Sequence, residues 1–333
     1  NGAIQGDKVL VELQSWESHD DAPLGHVVKV LGQEGDNDVE MHAILAEYGL
    51  PLEFPPEVEE EAKLFTPSSE SSAGLDKKEI EKRRDMRDVL TMTIDPADAK
   101  DFDDALSLKK LKNGNIEVGI HIADVSYYVK PGSAIDTEAI GRATSVYLVD
   151  RTIPMLPEVL SNDLCSLRPK EDKFAFSSVF EMDEDANVIN EWFGRTVIHS
   201  DRRFSYEDAQ VRLETGEGDL ADELALMFKL ATKLREKRFE NGGIDFNTEE
   251  VRFELDESGK PLRVVIKRMR ESNKLIEDFM LLANVRVARF LAKVHPEKNT
   301  PTRTSIYRIH DNPDPEKLQA LRVFVKRFGH DMP

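Results

Sequence analysis

Five aspartates crowd ten consecutive positions in the run Thr93-Ile-Asp95-Pro-Ala-Asp98-Ala-Lys-Asp101-Phe-Asp103-Asp104-Ala105. Carboxylates packed this closely repel one another, which pushes some of their pKa values up. A hard divalent cation relieves that repulsion. Magnesium in particular takes one or two carboxylates together with water and substrate phosphate. Two such ions about 4 Å apart stabilise both the attacking and the leaving oxygen of an in-line phosphoryl displacement. A solvated acidic turn would carry the same residue types, and so would an EF-hand calcium loop. The EF-hand fails on spacing, because no glycine stands at the sixth position counted from Asp101, Asp103 or Asp104. Ile94, Phe102 and Ala105 alternate with the acids, which favours a buried site over a solvated turn.

Stepping outward, the acids lie between two strand-like stretches, an apolar run that ends at Ile94 and the segment Ala105–Leu108. Asn115–Ile122 alternates as a strand does. Phe174–Met182 with Val188–Ile198 reads as a hairpin around Asp183–Asn187, and Val251–Leu255 with Leu262–Lys267 as another. Helices are expected after the capping box Ser205-Tyr-Glu-Asp208, over Leu220–Asn241 up to Gly242-Gly243, over Asn273–Val294 and over Pro313–Phe328. Upstream, Lys8–Glu12 and His26–Val30 are short β-like runs with a turn at Gly32–Asp38, which predicts a small OB-type β-barrel portion. Phe54–Asp88 reads as a connector with a charged helix over Lys77–Arg87. The expected fold class is α+β: a barrel portion over residues 1–53, a connector over 54–88 and a mixed α/β domain over 89–333.

Composition narrows the function classes. At 333 residues the chain has room for two domains of about 100–200 residues each. A net charge of −19 counts against coating nucleic acid through bulk positive charge. It does not count against a nuclease, since a positive channel can sit inside an acidic body. No apolar run approaches the roughly 20 residues of a membrane span, and no secretory signal pattern is present. Cys165 is the single cysteine, which excludes a disulfide partner and a multi-thiolate zinc site and predicts a reducing, cytoplasmic setting. The chain begins at Asn1 and not at methionine, so the natural N-terminus is expected upstream.

The stretch Thr93–Ala105 resembles the signature of the ribonuclease II/R family of exoribonucleases. The likeness continues through His121–Val129, Ile153–Pro157, Leu160–Leu167, Gly242–Phe246, Leu275–Asn284 and Tyr307–Asp311, and so covers essentially the whole chain. It implies magnesium-dependent (manganese being the alternative ion), processive 3′-to-5′ hydrolysis of single-stranded RNA to nucleoside 5′-monophosphates in RNA turnover. By motif position it implies that Asp95, Asp101, Asp103 and Asp104 are catalytic and hold the metal. Asp95 and Asp104 would hold the better-ordered ion, with Asp101 and Asp103 completing the site. Asp98 belongs to the motif and is expected to cap a turn or to stand behind the site. Tyr147 and Phe246 match positions that stack on bases near the RNA 3′ end, as aromatic faces do for any base. Glu277 matches a position near the terminal ribose or the metal cluster.

Each of these residues has a plainer reading. Tyr147 would otherwise be a half-buried packing residue, Phe246 a core anchor after the Gly-Gly turn, and Glu277 a helix-surface acid. His121 reads as a core histidine and not a ligand, and Cys165 as a small packing residue. Arg202-Arg203 and Lys267–Arg270 either line an RNA path or form solvated faces. Against the family pattern, the chain stops at Pro333, before a later segment that carries a catalytic arginine and before an S1 domain. Asn1–Leu10 resembles the middle of a second cold-shock barrel, so the expectation is part of a longer enzyme. The alternative function is a catalytically incomplete RNA-binding scaffold that keeps the fold.

Overall fold

The structure is a computed structural model that describes residues 2–16, 22–51, 53–65, 75–244, 250–256, 259–293, 309 and 311–332. Contacts divide the chain into two units, Asn1–Val285 and Arg286–Pro333.

The first unit opens with an antiparallel pair, β1 (Asp7–Ser15) and β2 (Leu24–Gln33). Helix α1 (Asn37–Glu47) follows, its N-terminus capped by Asp36, whose side chain accepts from the Asp38 amide. Among the described residues this region is two strands and a helix; the expected barrel portion is present only as a strand pair. The connector also holds more structure than its composition suggested. Helix α2 (Pro56–Lys63) starts on a proline, whose missing N–H costs nothing there, and buries Val58 and Ala62.

The charged helix expected over Lys77–Arg87 is only α3 (Lys77–Ile80), followed by a two-residue strand, β3 (Arg84–Asp85). The chain turns there because Arg83 points inward. Its fully buried guanidinium pairs with Asp124 at 2.7 Å and lies over the Phe174 ring at 4.1 Å. A helix continued through Arg83 could not also pair β3 with Thr196 and Val197.

Beyond it come β4 (Thr91–Asp95), β5 (Asp104–Lys110), β6 (Ile116–Ala123), α4 (Val125–Tyr128), α5 (Ala134–Arg142) and the small hairpin β7 (Val146–Tyr147) with β8 (Thr152–Ile153). A π-helical turn over Val159–Leu164 precedes β9 (Asp172–Met182), β10 (Val188–His199) and β11 (Arg202–Ser205). Helices α6 (Tyr206–Thr215) and α7 (Ala221–Glu240), the hairpin β12 (Glu250–Leu255) with β13 (Pro261–Lys267), and α8 (Glu271–Lys293) complete the order. Seven strands form one mixed sheet in the order β11-β4-β5-β6-β9-β10-β3.

Period-2 alternation buries both faces of this sheet. Leu106, Val118, Ile120 and Phe180, with Phe204 of β11, face helices α6, α7 and α8, against Ala209, Leu224, Leu230 and Phe279. Ala105, Ala123, Ala175 and Val179 face Val58, Ile135, Leu160 and Leu167. A polar thread crosses that second face. His121, with no exposed surface, meets Ser177 Oγ through Nδ1 at 2.6 Å and Ser107 Oγ through Nε2 at 2.9 Å. It is the satisfied core histidine of the plainer reading. Gly119 makes room for it, since a Cβ there would stand 2.3 Å from Ser107 Oγ and 2.6 Å from His121 Nε2.

Within the second unit, α9 (Pro315–Lys326) is capped by Asp314, which accepts from Glu316 and Lys317. Its end is fixed by Phe324 against Phe328, with ring centres 5.1 Å apart.

Candidate active site

β4 and β5 are antiparallel neighbours, with Thr91 opposite Ser107 and Met92 opposite Leu106. The last residue of β4, Asp95, and the first of β5, Asp104, therefore lie at the same end of the sheet. Asp101 and Asp103 come from the segment joining them. On the other side of β4, Ser205 of β11 pairs with Asp95. Ser205 also caps α6 by accepting from the Asp208 amide at 3.0 Å, the bond that its capping box predicts.

Burial and mutual repulsion dominate the electrostatics. Asp95 is 8% exposed. Burial, with the Asp104 charge adding to it, pushes its pKa up to about 7. Asp104 is pushed up to about 6 by burial and by Asp103. Asp103 is raised by the surrounding protein first and by Asp101 second. Two tyrosines share the field. Tyr147, well exposed on β7, stands beside the Asp101 carboxylate, and its hydroxyl is raised by desolvation and by Asp101 and Asp103. Tyr206 at the start of α6 is pushed up to about 12 by burial, then by Asp104 and Asp95. Of the cations, Arg203 offsets some of the charge at Asp95.

The cluster has the chemistry of a divalent-cation site. Its donors are carboxylate oxygens, the ligands that magnesium and manganese prefer. Asp95 Oδ2 is buried, with the Thr93 hydroxyl beside the carboxylate and other acids around it, a costly state for a carboxylate that a cation would correct. Among the described residues no three acidic, histidine or cysteine side chains already surround one metal-sized point.

The acidic loop is held through its backbone. Ser166, with no exposed surface, accepts from the Phe102 amide at 3.0 Å and donates to the Lys100 carbonyl at 2.9 Å. The Leu167 amide donates to the Phe102 carbonyl at 2.8 Å, and the Ala123 amide to that of Asp103 at 2.9 Å. Arg203 Nη2 donates to the carbonyls of Pro96 at 2.6 Å and Ala97 at 2.9 Å. Sequence reasoning assigned no role to Ser166 or Tyr206. It left Arg203 between an RNA path and a solvated face, whereas the structure places it under the acidic loop.

Asp95, Asp101, Asp103, Asp104 and Tyr147 thus stand together. The other expected residues divide differently. Asp98 is exposed and, instead of capping a turn among the described residues, pairs with Arg252 of β12 at 2.7 Å. That pair borders a cleft of about 840 Å³ lined by Tyr147, Val149, Val251 and Phe253 among others. Glu277 is exposed and bonds to Arg238 at 3.3 Å, not to the aspartates. Its neighbour Asp278 is the buried acid of α8, held by Arg235 at 2.7 Å and by Arg238 at 3.3 Å. Phe246 lies outside the described residues, and so does the Tyr307-to-His310 part of the separate Tyr307–Asp311 stretch apart from Ile309.

Residues 83–331 match the RNB domain and residues 1–55 a cold shock domain. The chain is 39% identical over 331 residues to the exosome complex exonuclease dis3 of Schizosaccharomyces pombe, covering 97% of this chain and 33% of dis3. It is also 39% identical over 337 residues to ribonuclease R of Thermotoga maritima, covering 99% of this chain and 46% of that protein. The chain therefore spans less than half the length of either relative. Mycoplasma genitalium RNase R in complex with ribose-methylated single-stranded RNA superposes with a TM-score of 0.86 at 27% identity, over 99% of this chain and 50% of that one. Yeast Ssd1, described as a pseudonuclease, shares the fold alone, with a TM-score of 0.71 at 20% identity over 98% of this chain and 40% of that one. Matched by the RNB domain over most of its length, with the same fold as a ribonuclease R, the chain belongs to the RNB-domain family, the ribonuclease II/R family that its aspartate motif resembles.

Proposed function

We propose that this chain carries the metal-holding and RNA-engaging part of a 3′-to-5′ exoribonuclease, which hydrolyses single-stranded RNA to nucleoside 5′-monophosphates in cytoplasmic RNA turnover. The observation that carries this reading is the self-repelling four-aspartate cluster at one end of the sheet, with Asp95 buried, Asp101 and Asp104 half-buried and Asp103 exposed at its edge. In it, Asp95 and Asp104 hold magnesium, or manganese in its place, and Asp101 and Asp103 complete the site. The cation supplies Lewis-acid stabilisation of the phosphoryl charge. Tyr147, exposed beside Asp101, offers its ring to a base, and the cleft next to it gives the strand room to approach. Phe246 as a second stacking residue and Glu277 near the terminal ribose complete the reading. The organisation proposed with it is a partial cold-shock region over 1–53, a connector over 54–88 and the first part of the catalytic domain over 89–333.

The scaffold alternative has one observation behind it, the sharing of this fold with a pseudonuclease. Against it stands the cluster itself, since a scaffold gains nothing from keeping carboxylates that repel one another around a buried Asp95. Digestion of a 5′-labelled single-stranded RNA in magnesium decides between them. The expected result is stepwise shortening from the 3′ end with release of 5′-monophosphates. Asp103→Asn should slow this by about a thousandfold or more while RNA binding stays near the original level. Internal cleavage, or equal rates for the two proteins, overturns the assignment.

A further inference from the structure

We propose that Ser166 is the positioning residue of Asp101: its single hydroxyl fixes the backbone on both sides of that aspartate, and so sets where the carboxylate stands toward the divalent cation and toward Tyr147. The proposal deepens the metal reading above and rests on it. Ser166 lies more than sixty residues along the chain from the loop, in the segment that follows the π-helical turn. Its Oγ accepts from the amide of Phe102 and donates to the carbonyl of Lys100, the two residues that flank Asp101. A serine hydroxyl has one proton to give and lone pairs to receive, so one atom satisfies both groups. The next residue repeats the hold, since the Leu167 amide bonds to the Phe102 carbonyl. The Phe102 ring is buried, which stops the peptide from swinging outward. With its backbone fixed this way, the Asp101 side chain stands beside the Tyr147 hydroxyl. Ser166 touches neither metal nor RNA in this arrangement; it acts through Asp101.

A merely space-filling serine would change stability alone when replaced. A positioning serine would also change how the site takes up metal. Manganese titration followed by electron paramagnetic resonance separates the two, alongside amide hydrogen exchange at residue 102. Ser166→Ala removes the hydroxyl and leaves a buried amide and carbonyl unpaired. It should bind Mn²⁺ about tenfold to a hundredfold more weakly, the scale seen when outer partners of metal ligands are lost. The Phe102 amide should exchange faster in the same variant. Cys165→Ala, a loss in the same segment with none of these loop bonds, should alter neither quantity. Where alanine loosens the fold, Ser166→Cys keeps the shape with a weaker donor and should move both quantities in the same direction. Unchanged Mn²⁺ affinity together with unchanged exchange at residue 102 overturns the proposal. If the unmodified chain itself takes up no Mn²⁺, the metal reading fails, and the exchange at residue 102 then decides alone: faster exchange supports the bracket around Asp101 and unchanged exchange refutes it.

Discussion

Replacing His121 with glutamine should change the pH dependence of folding stability by an amount that the burial of the ring sets. His121 has no exposed surface and sits between Ser107 and Ser177 in the middle of the sheet. Burial first, and the Arg84 charge second, lower its pKa from 6.5 to about 3. The unfolded chain therefore binds a proton between those two values that the folded chain refuses. Stability from this group is complete above pH 6.5 and falls as the pH drops toward 3. At about 1.4 kcal/mol per pH unit, the loss is about 2 kcal/mol at pH 5 and about 3.3 kcal/mol at pH 4.

Asp95 and Asp104 act in the opposite sense. Their raised pKa values, about 7 and about 6, make the folded chain the better proton binder, so they add stability as the pH falls. The curve of the unmodified protein mixes these effects, and only the difference between it and His121→Gln isolates the ring. Urea unfolding of both proteins at pH 8 and pH 5 measures that difference. His121→Gln loses good hydrogen bonds and should be the less stable protein at pH 8. Its deficit should shrink by about 2 kcal/mol at pH 5, because only the unmodified protein has a histidine left to protonate. A deficit that is constant to within about 0.5 kcal/mol across the two pH values would refute the reasoning.

Asp95→Asn should stabilise the metal-free chain while weakening its Mn²⁺ uptake, because it removes a buried charge that its acidic neighbours repel. A gain of about 1–2 kcal/mol, seen as a rise of about 2–8 °C in the thermal midpoint without metal, is the expected scale, and a fall would count against it. Tyr147→Ala should leave the thermal midpoint nearly unchanged, since the ring is 69% exposed. It should weaken the binding of short single-stranded RNA by about 1–3 kcal/mol in an anisotropy titration and lengthen the end product of digestion; an unchanged affinity returns Tyr147 to a packing role.

The aspartate cluster was legible because its residues are contiguous and because the apolar residues between them, Ile94, Phe102 and Ala105, are all buried in the structure. The flanking strands and both hairpins were legible for a similar reason, since alternation is a local signal. What could not be read depends on distance or on direction. Ser166 and Arg203 act on backbone groups of a remote loop, and a bond from a side chain to a distant carbonyl leaves no mark on residue type. The pair Glu277 and Asp278 shows the problem of direction. Adjacent helix positions point about 100° apart, and nothing local says which acid turns inward. The structure turns Asp278 inward, against Arg235 and Arg238, and leaves Glu277 outward. The charged run after Lys77 misled for a related reason: Arg83 looked like a surface residue, yet its partners Asp124 and Phe174 lie 41 and 91 positions further along.

These two classes of residue do different work, and the site needs both. Carboxylates brought together for metal chemistry push apart when no cation is present, so the segment that carries them would open if it were held only by its own sequence. The loop is held instead from outside: Ser166 and Leu167 at Lys100 and Phe102, Ala123 at Asp103, and Arg203 at Pro96 and Ala97. Each neutral bond is worth about 1 kcal/mol net, and those from the arginine rather more. The bonds fall on the backbone, which leaves the carboxylate oxygens free for a ligand. The holders come from the sheet and the buried segments beside it, because a clamp is only as firm as what anchors it. Function at this end of the sheet is thus written in the aspartates, while the geometry that lets them function is written some twenty to a hundred residues away, in a serine, an arginine and two backbone amides.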